Sequence, residues 1–287
     1  MNIRTAERKQ AKIKLALQGP SGSGKTLSAI LLAYGLVGDY SSICVIDTES
    51  GSADLYAHIG EYKVIPLTKP FTPERYIEAI TLAEHHSAKC IVIDGMSQCW
   101  QYLLDFHAGL SGNSFTNWSK ITPRLNDLIT KILSSTSHII ATFRVKQDYI
   151  LQDKGNGKLV PEKVGLKTIQ RDDLDYEFTI VLDIDINHFA ATSKDRTGLF
   201  VDIPPFKITA DTGIKILEWC LSGSSTDKVK ELINNAADLQ QLTEVYKSYT
   251  AYYPLLETEF IAKKALLTSS FLSPNNNNQN GIANNHH

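Results

Sequence analysis

The stretch GPSGSGKT, residues 19–26, sets glycines, a lysine and a threonine where a chain could wrap phosphates. Gly19, Gly24, Lys25 and Thr26 complete the pattern G-x-x-x-x-G-K-[ST], and Gly22 is a further glycine inside it. Glycine lets successive backbone N–H groups turn inward with no Cβ in the way. Gly19, Pro20, Ser21, Gly22, Ser23 and Gly24 therefore read as a nucleotide-binding cradle. Lys25 would reach the β- and γ-phosphates of ATP, and the Thr26 hydroxyl would bind Mg²⁺.

A phosphate loop does not say what the nucleotide is used for; carboxylates narrow the choice. Asp94 ends the apolar run Cys90-Ile91-Val92-Ile93. There it either holds Mg²⁺ through water beside Thr26 or caps the following helix. Glu49 follows Cys44-Val45-Ile46-Asp47-Thr48 at the end of another such run. A glutamate at that point either activates the attacking water or is simply solvated. The residue after Asp94 is Gly95, so a base cannot come from that position.

These groups need a scaffold. Ile13-Lys14-Leu15-Ala16-Leu17 precedes the glycine loop as a strand, and a buried helix beginning at Thr26 follows it. Further strand-like runs cover 42–47, 63–67, 90–94, 138–143, 178–184 and 188–193. Helical patterns cover 73–85 and 122–133. Apolar strands alternating with helices predict an α/β fold: a mostly parallel twisted sheet with helices on both faces. The last two strands, joined by Asp185-Ile186-Asn187, are expected as an antiparallel extension. The character changes near residue 223. Three short helices are expected over 223–270, near 228–237, 239–249 and 256–268, either as a docking module or as a helical cap. The asparagine-rich stretch 271–287 is expected to be disordered.

The chain has 287 residues and a net charge of −2, so nucleic-acid contact would require a local basic patch. Such a patch exists after Phe143. Arg144, Lys146, Lys154, Lys158, Lys163, Lys167 and Arg171 face only Asp148, Asp153 and Glu162. The segment is either a DNA-contacting loop, with Tyr149 to stack on a base, or a solvated hairpin turning at Gly155 and Gly157. Phe115 and Trp118, in a second candidate loop, either face DNA or pack on the core. Cys44, Cys90, Cys99 and Cys220 show no metal spacing and read as buried thiols of a reducing compartment. No signal-like or bilayer-length apolar segment is apparent, so no membrane association is expected.

Together CVIDTESGSADLY, CIVIDGMS and Thr192–Phe200 resemble the RecA-type P-loop ATPases. The likeness implies a RecA-like core over 1–222, with Glu49 as catalytic base beside Lys25. Lys194 and Arg196 match a basic-x-basic pair that reaches the neighbouring subunit's nucleotide. Thr142 and Arg144 occupy the position that senses the γ-phosphate. The stretches PFTPERYIEAI, ATFRVK, KVGLKTIQRDDLDYEF and SKDRTGLF are similar to phage-encoded ATPases that keep only this core. That likeness implies a cytoplasmic phage protein of a recombination module in a bacterial host. It would bind single-stranded DNA, act as a ring or short filament of like subunits, and work beside a single-strand-binding protein. A helicase-like motor, a small-molecule kinase and a nucleotide-dependent regulator are the alternatives. The short N-terminal segment argues against the motor, and no acceptor signature supports a kinase.

Overall fold

The computed structural model describes residues 12–153, 159–171, 174–221 and 226–271. They fall into two compact units, one within 1–223 and one within 224–287.

The first unit is built on a mostly parallel sheet. Its strands are β1 (Lys14–Gly19), β2 (Ile43–Asp47), β3 (Lys63–Pro66), β4 (Cys90–Asp94), β5 (His138–Asp153), β6 (Leu159–Thr168), β7 (Ile180–Ile184) and β8 (Ala190–Asp195). The order across the sheet is β3-β2-β4-β5-β1-β7-β8, with β6 pairing to β5 off that path. β1 is parallel to both β5 and β7, and β4 is parallel to both β2 and β5. One strand, β5, thus separates the strand that ends in the glycine loop from the strand that ends in Asp94.

The helices are α1 (Lys25–Val37), α2 (Pro73–His85), α3 (Ser97–Ala108), α4 (Ser114–Asn117), α5 (Thr122–Ser134) and α6 (Ala210–Leu221). Every residue of β1, β2 and β4 is buried, as expected for strands covered on both faces. Ala16, Ile46, Ile91, Ile93 and Ala141 pack with Tyr76 and Ile80 of α2, Leu103 of α3 and Leu128 of α5. Strand side chains alternate, so Leu15, Leu17, Val45, Val92 and Ile140 point to the other face. That face is covered by α1, which contacts β4 and β5 and packs along α6.

α1 and α6 meet at two glycines. A Cβ on Gly35 would come 2.0 Å from the Ala210 carbonyl oxygen, and one on Gly213 would come 2.3 Å from that of Leu32. The two backbones touch, and no side chain could stand between them.

Two strands differ from the sequence reading, and one open choice is narrowed. The basic segment after Phe143 forms the arms of a hairpin, the second of its two expected shapes; the turn at Gly155 and Gly157 lies outside the described residues. β5 runs on through it to Asp153 and pairs antiparallel with β6, with a register shift between Asp148 and Tyr149. Its backbone groups find partners in the second arm, which is what converts a polar, charged segment into a ladder. β7 starts at Ile180 and β8 runs from Ala190 to Asp195, each displaced from the apolar run that announced it. The two are antiparallel.

The second unit holds α7 (Thr226–Asn235), α8 (Leu239–Ser248) and α9 (Tyr253–Phe271). Its core includes Val229, Ile233, Leu242, Tyr252, Leu256 and Phe260. α9 begins three residues earlier than its apolar pattern suggests. Pro254 is tolerated in the opening turn, and the helix is interrupted at Leu256 (φ −125°, ψ 18°). Among the described residues, no helix is long and apolar enough to cross a membrane.

Candidate nucleotide site

Parallel register brings the ends of four strands to one edge. Gly19 of β1 pairs with Arg144 of β5, and Asp47 of β2 pairs with Asp94 of β4. A cavity of about 500 Å³ opens at this edge, where open α/β sheets receive their ligands. Its walls include Ser21, Gly22, Gly24, Lys25, Thr26, Glu49, Asp94, Thr142 and Arg144.

Gly19 fits because it has no side chain: a Cβ there would lie 2.6 Å from both the Ile184 carbonyl oxygen and Ser23 Oγ. Gly22 and Gly24 take φ of 80° and 85°, a left-handed backbone that favours glycine. The Lys25 ammonium lies back across the loop and donates to Gly19 O (2.9 Å) and Pro20 O (2.7 Å). Burial lowers its pKa, while Asp94 and Glu49 pull it back up. Those two bonds hold the ammonium where a phosphate would otherwise receive it.

Asp94 is the hub. Its Oδ2 accepts from Thr26 Oγ1 (2.8 Å) and Ser52 Oγ (3.0 Å), and its Oδ1 accepts from Thr142 Oγ1 (2.8 Å). Burial raises the pKa of this carboxyl, and the three hydroxyl donors oppose that rise. The oxygen-only set of Thr26, Asp94 and Ser52 suits a hard cation such as Mg²⁺. Among the described residues, no three His, Cys, Asp or Glu side chains converge to hold a metal. A cation here would complete its shell with phosphate oxygens and water.

Gly95 explains why the base is absent from its commonest place. It sits at φ 105°, and a Cβ on it would come 2.0 Å from Thr48 Oγ1. Thr48 in turn donates to Asp94 O (2.7 Å). No glutamate fits at 95. The carboxylate at the cavity is Glu49, delivered by the neighbouring strand. Asp47 shapes its approach, accepting from the N–H groups of Glu49 (2.6 Å) and Gly51 (2.8 Å). Glu49 is gripped by Arg144: Oε1 accepts from Nε at 3.1 Å and Oε2 from Nη2 at 2.5 Å.

The structure thus brings together the cradle, Thr26, Asp94, Glu49, Thr142 and Arg144. It does not bring Lys194 or Arg196 to this cavity. At the end of β8, Lys194 Nζ donates to Asp175 O (2.8 Å) and Tyr176 O (2.5 Å), and Arg196 Nη2 donates to Tyr176 O (2.9 Å).

Of the residues read as DNA-binding, Lys146 and Lys167 are exposed and face each other across the β5–β6 ladder. Tyr149 pairs with Lys163 in the same ladder. The side chains of Tyr149 and Lys163, and the whole of Lys154 and Lys158, lie outside the described residues. Trp118 stacks on His107 (4.4 Å between ring centroids) and Trp100 (5.8 Å), whereas Phe115 is 86% exposed. The four cysteines are buried, and none forms a disulfide.

Residues the sequence reading missed also line the cavity: Ser52, Tyr56, His188 and Lys207. Ser52 and Tyr56 carried a signal, since they follow Glu49 closely along the chain, Ser52 at the start of the 3-10 helix Ala53–Ile59 and Tyr56 within it. His188 and Lys207 lie far along the chain and carried none.

A parallel sheet ending in a glycine cradle, with a buried carboxylate two strands away, defines a P-loop NTPase-type nucleotide-binding site. The family model described as AAA domain matches residues 11–204, and the chain belongs to that family. Membership implies nucleotide binding, usually with Mg²⁺, and suggests an ATPase. No curated protein matches the chain.

Proposed function

We propose that this chain is a Mg²⁺-dependent ATPase of the RecA-like phage recombination type, which binds single-stranded DNA and acts as an oligomer. The observation that carries the reading is the Glu49–Arg144 pair. Glu49 is the only carboxylate besides Asp94 among the described residues at the cavity wall, and its partner is the residue that leads into the basic hairpin.

In this reading Lys25 leaves Gly19 O and Pro20 O for the β- and γ-phosphates. The N–H groups of the cradle bind the phosphates in the ground state and the transition state alike. Thr26, and Asp94 through water, would hold Mg²⁺, which supplies further neutralisation at the phosphate oxygens. Glu49 accepts a proton from the attacking water, which it can do only once Arg144 lets go. Thr142, bonded to both Asp94 Oδ1 and Gly95 N–H, carries changes at the cation to β5.

DNA gives Arg144 a reason to move. Lys146 and Lys167 stand opposite each other in the ladder and bring two positive charges to one place, which suits contact with a polyanion. Arg144 also lines a second cavity, of about 470 Å³, with Phe71, Gln98, Gln101 and Tyr102. A strand on the hairpin would draw the guanidinium that way and free Glu49. Lys194 and Arg196, which lie outside their own chain's cavity, would serve a neighbour's nucleotide.

The test measures ATP hydrolysis across protein concentration, with and without single-stranded DNA, and in mixtures of Glu49→Gln with Arg196→Ala. The rate per chain is expected to rise with both concentration and DNA, and the mixtures are expected to recover part of the activity. A rate indifferent to both variables, with no recovery at any ratio, would leave a nucleotide-dependent regulator as the better reading.

A further inference from the structure

We propose that His188 is a positioning residue of the phosphate cradle. From the turn between β7 and β8, its imidazole fixes the Ser23–Gly24 peptide so that the Gly24 N–H faces the nucleotide. The proposal rests on the loop being a triphosphate site and is independent of DNA, recombination or oligomer.

His188 Nδ1 lies 3.0 Å from the Ser23 carbonyl oxygen. A carbonyl only accepts, so Nδ1 carries the hydrogen and donates it. The peptide is planar and trans, so the C=O of Ser23 and the N–H of Gly24 point in opposite directions. Holding the oxygen on the outside of the loop therefore turns the N–H inward. Without that bond this peptide is free to flip, because Gly24 is the residue least able to resist rotation.

Three further observations point to the same role. His188 has φ of 68°, in the left-handed region that few non-glycine residues enter and that histidine enters more readily than most. The turn enforces it: Asp185 Oδ1 accepts from the N–H groups of Asn187 (2.8 Å) and Phe189 (2.9 Å), and His188 N–H donates to Asp185 O (3.1 Å). An unusual backbone held in place by surrounding bonds is characteristic of functional positions. Space at Gly24 is matched to the ring, since a Cβ there would come 3.1 Å from Nδ1. Finally, Ser23 is fully buried and its own hydroxyl has no partner. Its carbonyl, held by His188, is what ties this residue to a side chain.

The experiment compares ATP and ADP affinity, KM and kcat for the intact chain and three variants. His188→Gly keeps the backbone conformation and removes the donor. His188→Asn keeps a donor at similar reach and tolerates positive φ. Lys25→Ala reports on the loop itself. One net hydrogen bond predicts that His188→Gly weakens nucleotide binding by about 3- to 10-fold and raises KM, with kcat changed less than about twofold. His188→Asn is expected to return both to within about twofold of the parent.

If His188→Gly binds as the parent does while Lys25→Ala does not, the His188 role is overturned and the nucleotide site stands. If Lys25→Ala also binds normally, the site reading itself has failed. Equal weakening in the Gly and Asn variants also overturns the proposal, because the donor would then not be the cause.

Discussion

Lys14 and Lys25 lie at opposite ends of one strand-and-loop unit, and each ammonium donates to two backbone carbonyls. Lys14 reaches Ser135 O (2.9 Å) and Ser137 O (2.7 Å); Lys25 reaches Gly19 O and Pro20 O. Their surroundings separate them. Lys14 is 4% exposed, and its partners belong to the connection into β5. Burial pushes its pKa down to about 8. Beside it, His138 Nδ1 accepts from Ile13 N–H (3.1 Å). These polar groups are paired with backbone and line neither of the cavities described above. At the other edge Lys25 is bonded to its own glycine loop, Glu49 to a half-exposed arginine, and Ser23 Oγ to nothing. Identical bonds hold a wall together at one end and mark a place kept for a ligand at the other.

That contrast is sharpest in a paired substitution. Lys25→Ala is expected to cut ATP hydrolysis by at least about 10²-fold, because it removes charge stabilisation that peaks in the transition state. Its thermal midpoint should move little. Lys14→Met should do the reverse: removing the donor to two buried carbonyls costs about 1–3 kcal/mol of stability for each one left unpaired, while kcat and KM of the folded fraction stay near those of the parent. Calorimetry and a steady-state assay on both variants decide it. A Lys14→Met protein that is stable but inactive would dissolve the distinction between the two ends.

The second expectation concerns acid. Burial foremost, with Lys12 and Lys14 nearby, pushes His138 from 6.5 down to about 3. The folded chain therefore holds fewer protons than the unfolded chain between these values. The contribution to stability is complete above about 6.5 and is lost as pH falls towards about 3. In mid-window the slope approaches about 1.4 kcal/mol per pH unit. Denaturant titrations from pH 7.5 to 4 should show this fall. His138→Gln, which still offers Ile13 an acceptor, should flatten it; an unchanged slope would mean other groups carry the acid limb.

The smallest effect is expected at a surface pair. Arg124 donates to both oxygens of Glu74 (2.7 and 2.8 Å) and holds its pKa down at about 2. The glutamate side chain is half exposed, so solvent screens the pair. Glu74→Gln should cost less than about 1 kcal/mol and leave hydrolysis untouched. A larger loss would show that exposure underrates this contact.

What the sequence disclosed depends on how far apart cooperating residues lie along the chain. The cradle is one run of eight residues, and its strand and helix adjoin it, so the motif and its context could be read together. Asp94 and Glu49 each end an apolar strand, a position visible locally. The grip of Arg144 on Glu49 spans 95 positions, and that of His188 on Ser23 spans 165; neither leaves a local trace. The segment after Phe143 stayed open between loop and hairpin because charged residues interrupt its apolar alternation. Backbone pairing, to which composition is nearly blind, made its arms strands. Gly95 was visible as a missing base, but only the position of Thr48 explains why nothing larger is admitted.

The contact of α1 with α6 through Gly35 and Gly213 leaves no compressible layer between them. A helix cushioned by side chains can rock by an ångström while rotamers absorb the movement; two helices resting backbone on backbone cannot. A shift of α1 at Gly35 would press directly on the backbone of α6, with no side chain between them there to absorb it. Exchanging either glycine for alanine would act as a shim. It would force α1 and α6 apart at that point without altering one residue that lines the nucleotide cavity.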